Sequence, residues 1–531
     1  MSKKLKYIEL FSGCGGMSLG LENAGFDLVF ANELSPMAGE TYAYNLLSNS
    51  LSDNESDKVL WLGSNYNRNN IESRLRENPF EAEKGGFSDM ELFNIEDKKL
   101  LIGNVDLLLE KITNNEKIQK SLVELDVDLI SGGPPCQSFS LAGKRIKNDS
   151  KNLLPLSFAR LTGLIRPKAV LLENVKGITS PFKEEGNKYY AWLEVSKAFS
   201  LEGYVPVCMM LNSKYFGVPQ NRPRFILQAF REDIFDRIFK TEVNKTILKK
   251  SRTFYNLVNS NREELENVTI KDFKYYDIEN EPECFDGTLL PKISHFEKSF
   301  IGVNEAIGDI RRTDIDYILE DMKGSYIESL NESFKNKNEN NVLKNHEPRT
   351  HSFTIKSRFR FYQVISEFRN GLKKSATELF TGKKVSDEDK EKLIKEFSNY
   401  NLLFRDSRKE EYYKKPKTIK EVEKLIDSIP TKKHSQRALK EFEPAPAQLT
   451  IPDDICHYHI EQPRTLTVRE MARIQSFPDW FEFKSKVTTG GKMRKFEVPQ
   501  YTQVGNAVPP LLALSLGKNI RAILRKIEKN G

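Results

Sequence analysis

Cysteine is scarce in this chain: Cys14, Cys136, Cys208, Cys284 and Cys456 are the only five in 531 residues, and none is paired by spacing. That excludes a disulfide framework and indicates a reducing compartment, so the expected location is the cytoplasm. Histidine is also rare, with six in the chain. Cys456, His457 and His459 stand close together, but no fourth ligand follows at zinc spacing, and no metal site is expected. Long hydrophobic runs are missing too. No apolar stretch approaches the length of a membrane span, and the opening Met-Ser-Lys-Lys-Leu-Lys is read as carrying no signal peptide. With 30% charged residues and a mean hydropathy of −0.54, a soluble protein of two or three domains is expected.

What the chain does have is an uneven charge. The net value of +7 hides a balance of −6 in residues 231–340 and +11 in residues 341–440. One charged helix would be read as a solvated surface. An excess of eleven over one hundred residues fits a phosphate-facing surface better.

The first 230 residues alternate strand and helix signals. Tyr7-Ile-Glu-Leu-Phe11 is a short apolar strand that enters Ser-Gly-Cys-Gly-Gly, followed by a helical pattern over 17–24 and a second strand, Leu28-Val-Phe-Ala31, ending at Asn32-Glu33. This βαβ start implies a parallel sheet. Further strands are expected at 100–102, 127–131, 169–172, 204–211 and 224–229. Residues 46–99 are polar, Asn-rich and weakly periodic, and read as an insertion between the second and third strands. Beyond about 231 the alternation dissolves, and a strongly patterned segment returns at 464–520.

The glycine turn after the first strand suggests a nucleotide cofactor, because glycine lets backbone approach a ligand and the following helix N-terminus favours negative charge. Counted from Gly13, the sixth position of the dinucleotide fingerprint is Ser18, so that fingerprint fails. Glu33, ending the second strand, is placed to take two ribose hydroxyls. The combination suits an adenosine-bearing cofactor without a pyrophosphate, with S-adenosyl-L-methionine the obvious candidate; a purely structural turn is the alternative. In Gly-Gly-Pro-Pro-Cys-Gln-Ser-Phe-Ser, residues 132–140, two prolines stiffen a loop that holds Cys136 just past a buried strand. There it is either a nucleophile or a small buried hydrophobe.

Five peptides in order decide between these alternatives: Phe11-Ser-Gly-Cys-Gly-Gly, Gly133-Pro-Pro-Cys136, Glu173-Asn-Val175, Gln220-Asn-Arg-Pro-Arg224, and Arg464-Thr-Leu-Thr-Val-Arg-Glu470 with Gln503-Val-Gly-Asn-Ala-Val508. Together they resemble the ordered motifs of DNA (cytosine-5)-methyltransferases of bacterial restriction–modification type. The resemblance covers 1–230 and 464–520. It implies an α/β fold, a doubly wound, mostly parallel, Rossmann-like sheet of the S-adenosylmethionine-dependent kind, with a second, smaller α+β target-recognition domain. The catalytic and cofactor domain would be 1–230, the recognition region 231–494 including the supporting helix 464–477, and 495–531 would return to the catalytic domain.

It also implies roles. Cys136 would add to carbon 6 of cytosine, making carbon 5 nucleophilic toward a sulfonium methyl. Glu173 would act as the acid at N3, for which a buried pocket can raise a carboxyl pKa. Arg224 would bind the cytosine O2 and Arg222 would position the loop that carries Cys136; Asn174 is a second pocket residue or a strand-end cap. Phe11, Gly13 and Gly15 would cradle the cofactor, with Glu33 on the ribose and Asn506 returning to the site. Asn104 stands where the family usually has an aspartate on the adenine amine, and its amide oxygen can accept the same bond. Arg358 and Arg360, interleaved with aromatics in 351–362, are the expected DNA contacts, with an amphipathic strand in the small domain's own core as the alternative. The implied partners are double-stranded DNA and a separate cognate restriction endonuclease, with a monomer as the default. An RNA cytosine-5 methyltransferase and a catalytically silent DNA-binding protein are the competing readings.

Overall fold

The computed structural model describes residues 4–51, 58–82, 84–93, 98–135, 150–184, 187–242, 245–335, 341–431, 433, 436–448 and 450–529. Its frame is a nine-stranded sheet. Strands β1 (Leu5–Leu10), β2 (Phe26–Glu33), β3 (Val59–Trp61), β4 (Lys99–Ile102), β5 (Leu129–Gly132) and β6 (Ala169–Val175) run parallel. After a small hairpin, β7 (Phe182–Glu184) and β8 (Asn187–Tyr189), comes β9 (Tyr204–Asn212). The two-residue β10 (Gln220–Asn221) leads into β11 (Pro223–Arg231), which lies antiparallel between β6 and β9. A last short strand, β12 (Tyr276–Asp277), completes the order β12-β9-β11-β6-β5-β1-β2-β4-β3.

Alternation along the strands makes two cores. Tyr7, Leu129 and Leu171 face one layer of helices, while Ile8, Ile130 and Leu172 face the other. On the first side lie α1 (Gly16–Asn23) and α2 (Pro36–Leu46). On the other lie α5 (Val105–Thr113), α6 (Glu116–Glu124), α7 (Ser150–Ile165) and α8 (Ala191–Leu201). No helix among the described residues is long and apolar enough to cross a membrane.

Three features differ from the sequence reading. The polar segment 46–99 contributes the edge strand β3 and the short helices α3 (Ile71–Arg76) and α4 (Pro79–Ala82), and it is pinned by a buried pair in which Arg74 donates to both carboxylate oxygens of Asp89 at 2.7 and 3.2 Å. Residues past 231 do not leave the sheet at once. Helices α9 (Glu232–Thr241) and α10 (Thr246–Ser260) pack on it through Phe235, Ile238, Phe254 and Val258, and β12 extends it, so short elements hidden in charged sequence still complete the large unit. The peptide 353–366, where a strand was the alternative, is the helix α13 (Phe353–Ser366).

Before α13 the chain forms α11 (Val303–Ile307) and α12 (Ser325–Ser333), both packed into the larger core. A third, separate core then gathers α13, α14 (Asn370–Phe380), α15 (Asp387–Phe397), a hairpin of β13 (Leu402–Arg405) with β14 (Glu411–Lys414), and α16 (Ile419–Ser428). Short strands β15 (Arg437–Ala438), β16 (Ala445–Pro446) and β17 (Ile455–Cys456) lead back; β16 pairs with β10 and β15 with β17.

The chain returns through α17 (Val468–Ile474), started by a reciprocal cap: Glu470 N–H donates to Thr467 Oγ1 at 3.1 Å and Thr467 N–H to Glu470 Oε2 at 2.8 Å. This helix carries its arginines inside. Arg464 holds Glu470 at 2.8 and 2.7 Å, and Arg473 bridges Asp479 and Asp309 at 2.7 and 2.6 Å. Then α18 (Gln500–Asn506) and α19 (Pro510–Lys529) follow, and α19 lies along α1.

Two outcomes test this scaffold. Asp89→Leu would strand the buried Arg74 charge and should cost about 3–5 kcal/mol, read as a lower urea midpoint. An unchanged midpoint would show that the pair does not hold the insertion. The second concerns acid. Burial pushes the His457 imidazole down to about 3. Burial alone would raise Glu470, 3.6 Å away, but the Arg464 guanidinium prevails and lowers that carboxyl to about 2. Both groups bind protons more readily in the unfolded chain, so the stability they contribute is full above pH 6.5 and is lost on acidification, through His457 first and through Glu470 below pH 4.5. The urea midpoint should fall with pH across that range, and His457→Gln should flatten the slope between pH 6.5 and 4.5.

Candidate active site

Parallel sheets collect ligands where the chain reverses direction, outside the carboxyl ends of the strands. Here the chain runs outward from β1 to β2 and β4, then returns to place β5 on the other side of β1. Leu10 of β1, Gly132 of β5 and Leu172 of β6 lie in register. The turn Phe11–Gly16, the loop from Gly133 and the pair Glu173-Asn174 therefore leave the sheet side by side.

At the β6 end, Glu173 (8% exposed) and Arg224 (8%) form an ion pair, with Arg224 Nε 2.6 Å from Glu173 Oε1. The pair is held by charge rather than by an aligned hydrogen bond, since the Nε–H of Arg224 has no acceptor along its axis among the described residues. One guanidinium nitrogen donates instead to the Pro223 carbonyl at 2.8 Å. Asn174 Nδ2 donates to the Pro134 carbonyl at 3.2 Å, and a Cβ on Gly133 would stand 3.2 Å from Glu173 Oε2. The loop that follows β5 is thus tied against the carboxylate. Cys136, two residues past Pro134, lies outside the described residues. Of the other cysteines, Cys14 and Cys208 are fully buried and burial pushes their thiols up, which leaves them unreactive.

Arg222 is enclosed. Its guanidinium donates to the carbonyls of Gly505 (2.8 Å) and Ala507 (3.2 Å), and less closely to Gln220 Oε1 and the Gln448 carbonyl, both at 3.4 Å. Burial, then the neighbouring Arg224 charge, push it down from the ordinary arginine value. It does not touch the β5 loop in any bond among the described residues; it joins β10–β11 to the C-terminal segment.

The β1 turn holds the features expected of a cofactor cradle. Phe11 has a left-handed backbone (φ 55°) and rests its ring against Phe158 at 6.4 Å. Gly13 (φ 55°) and Gly15 (φ 97°) carry the positive φ that glycine tolerates, and a Cβ on Gly13 would meet nothing within 4 Å. Both oxygens of Glu33 accept backbone N–H groups, from Gly13 and Ser35, each at 2.8 Å, and burial raises its carboxyl. Asn104 caps α5, its Oδ1 accepting from Asp106 N–H at 2.9 Å. The C-terminal segment closes this end. Gln503 bonds to Thr41 and the Met37 carbonyl, the Val508 carbonyl crowds Gly16, and Asn506 ends α18 exposed to solvent.

Two residues here were not singled out in the sequence. Ser12 Oγ is buried with no hydrogen-bond partner among the described residues, inside the turn, and Gln503 is the clasp. Their position within the matching peptides was the available signal. An orphaned buried hydroxyl, open space at Gly13 and a carboxylate at the end of β2 fit a nucleoside-bearing cofactor.

The expected DNA contacts require correction. Arg360 is 3% exposed and donates to the Asn401 carbonyl at 2.7 Å inside the small core. Arg358, half-buried, donates to the Ile429 and Pro430 carbonyls at the end of α16. The reason is geometric: on a helix, residues two apart point to nearly opposite sides, so the two guanidiniums cap separate backbone ends and present no shared surface.

Comparison with known proteins gives the family. The C-5 cytosine-specific DNA methylase family matches residues 5–60 and 98–522, omitting a stretch that falls within the polar insertion. The type II methyltransferase M.DdeI of Desulfomicrobium norvegicum is 25% identical over 526 residues, covering 97% of this chain and 88% of its own. M1.HphI of Haemophilus parahaemolyticus is 25% identical over 519 residues, covering 97% and 86%. The fold is shared with a prophage-encoded DNA modification methyltransferase of E. coli, at TM-score 0.51 and 19% identity over 98% of this chain and 99% of that one. With the family match running from β1 into α19, the chain belongs to the C-5 cytosine-specific DNA methylases and is a DNA (cytosine-5)-methyltransferase.

Proposed function

We propose that this enzyme transfers the methyl group of S-adenosyl-L-methionine to carbon 5 of a cytosine in a short double-stranded DNA sequence, through a covalent Cys136 adduct on a base swung out of the duplex. The observation that carries the reading is the buried Glu173–Arg224 pair, 2.6 Å apart, against the loop that runs into Cys136 and beside the β1 turn. The type II relatives suggest the biological setting. In it the enzyme is the modification half of a restriction–modification pair, acting as a monomer in the cytoplasm beside a separate endonuclease.

The division of labour follows from the side chains. When bound, S-adenosylmethionine supplies an electrophilic methyl on a sulfonium. Phe11, Ser12 and the open face at Gly13 would hold it, with Glu33 on the ribose, Asn104 at the adenine and Asn506 closing over it. A cytosine stacked in a duplex hides its ring carbons, so the target base must leave the stack to be reached. The Cys136 thiolate adds to carbon 6, and the displaced π electrons make carbon 5 nucleophilic. Negative charge moves toward N3 and O2, where Glu173 delivers a proton and Arg224 a charged N–H. After carbon 5 has gained its substituent, a water molecule takes the carbon 5 proton, the thiolate leaves carbon 6 and N3 returns its proton to Glu173, which restores the ring, the acid and the free Cys136. Arg222 acts at one remove, keeping the Arg224 strand fixed to the C-terminal segment.

Two variants test the assignment. Cys136→Ala should abolish methylation in bisulfite sequencing of host DNA while duplex binding persists; retained activity would remove Cys136 as nucleophile. Glu173→Gln should slow single-turnover methyl transfer by about 10²–10⁴-fold with duplex affinity nearly unchanged. Wild-type protein that leaves all host DNA unmodified but methylates RNA would transfer the reading to an RNA substrate.

A further inference from the structure

The positive charge of residues 341–440 is not where the arginine–aromatic peptide suggested. A cavity of about 660 Å³ lies between the small helical unit and the β10–β16 link. Lys373, Lys433, Arg437 and Lys440 line it, against two acidic residues, Asp427 and Glu443. Two of these cations are already engaged: Lys433 pairs with Asp453 at 3.2 Å, and Lys440 with Glu443 at 2.5 Å. Lys373 and Arg437 form no ion pair among the described residues, and Arg437 is exposed. Burial, then the repulsion of Lys440, push Lys373 below its ordinary value; Glu443 and Glu367 oppose this and Arg437 adds to it.

The cavity leads toward the catalytic edge. Asn221, Arg437 and Pro446 also line a second cavity of about 430 Å³, which adds Lys176, the residue that follows β6, and Asn212 at the end of β9, together with the carboxylates Asp277 and Glu279, the latter paired with Lys214 at 3.0 Å. Val175, the neighbour of Lys176, is in register with Arg224. A groove with unpaired cations on one side therefore reaches Pro223 and Lys176, which adjoin Arg224 and the end of β6 in the chain.

We propose that this groove is the track for the DNA backbone and that Lys373 and Arg437 bind its phosphates. The assignment rests on the DNA-methyltransferase reading and adds to it the residues that hold the duplex. An exposed guanidinium offers a planar fork that suits phosphate oxygens, and Lys373 supplies a point charge beside it. Phosphates would supply both cations with the anionic partner that they lack among the described residues. Neither reads a base, so the contact would be independent of sequence.

The salt dependence of binding separates this role from a structural one. Affinity of the full-length protein for a fluorescein-labelled duplex of mixed sequence would be followed by anisotropy over a salt series. Lys373→Gln/Arg437→Gln removes both charges and should lower the slope of log affinity against log salt by about two, at about 0.9 for each phosphate that is no longer neutralised. Arg437→Gln alone, on an exposed side chain, should lower it by about one and guards against misfolding of the double variant. Lys120→Gln, exposed on α6 outside the groove, should leave the slope at the wild-type value. An unchanged slope in both groove variants overturns the phosphate assignment and leaves the catalytic reading intact. Wild-type protein that ignores duplex DNA but binds RNA with a steep slope overturns both.

Discussion

A buried guanidinium has five N–H donors and a charge that it does not give up, so the chain must bring acceptors to it. Arg222 imposes that constraint here. It is 2% exposed, makes no ion pair among the described residues, and donates through its two terminal nitrogens to carbonyls of Gly505, Ala507 and Gln448, while its buried Nε–H has no partner among the described residues. Those carbonyls belong to segments more than 200 residues away. Holding them fixes the C-terminal segment over the β1 turn on one side and keeps β11, with Arg224, against β6 and Glu173 on the other. The β1 turn and the Glu173–Arg224 pair are thus one assembly.

The same economy appears in α17. Arg464, Arg469 and Arg473 are all buried, and each is neutralised or capped within the helix's own surroundings: Glu470, the carbonyls of Pro478 and Phe481, and Asp479 with Asp309. Gln220, close to Arg222 in the chain, bonds to the end of this helix through Ile474 and Gln475. The helix is therefore a scaffold element that ties Asp309 on one side to Gln220 of β10 on the other. Its charges do no chemistry. They make the orientation of the helix specific, because an inward arginine tolerates few alternative placements.

Much of the site was legible because its residues are local in sequence. Apolar runs of three to eight residues declared the main strands, and the peptides at their ends carried Phe11, Glu33 and Glu173 to one edge by the ordinary logic of a parallel sheet, whereas Arg224 reaches it because β11 runs antiparallel to β6. Asn104 fitted less simply: its amide oxygen is the cap of α5, although a second lone pair remains for a ligand. Other elements left little trace. Strand β3 has three residues in a polar segment and β12 has two, too short for any period to declare itself, and both exist because an edge of the sheet was there to pair with.

The sequence alone determined the class of enzyme, the order of the main strands along the chain and the identity of the groups at the end of β1, β2 and β6, since these depend on residue type and near-neighbour spacing. Only the tertiary structure decided which cations are left without an ion-pair partner among the described residues. Arg358 and Arg360 looked suited to the task but point into backbone carbonyls, whereas Lys373 and Arg437 come from a helix and a short strand that meet across a cavity. Free charge is a property of surroundings: a cation is available to a phosphate only where folding has left it without another acceptor, and no pattern along the chain records that.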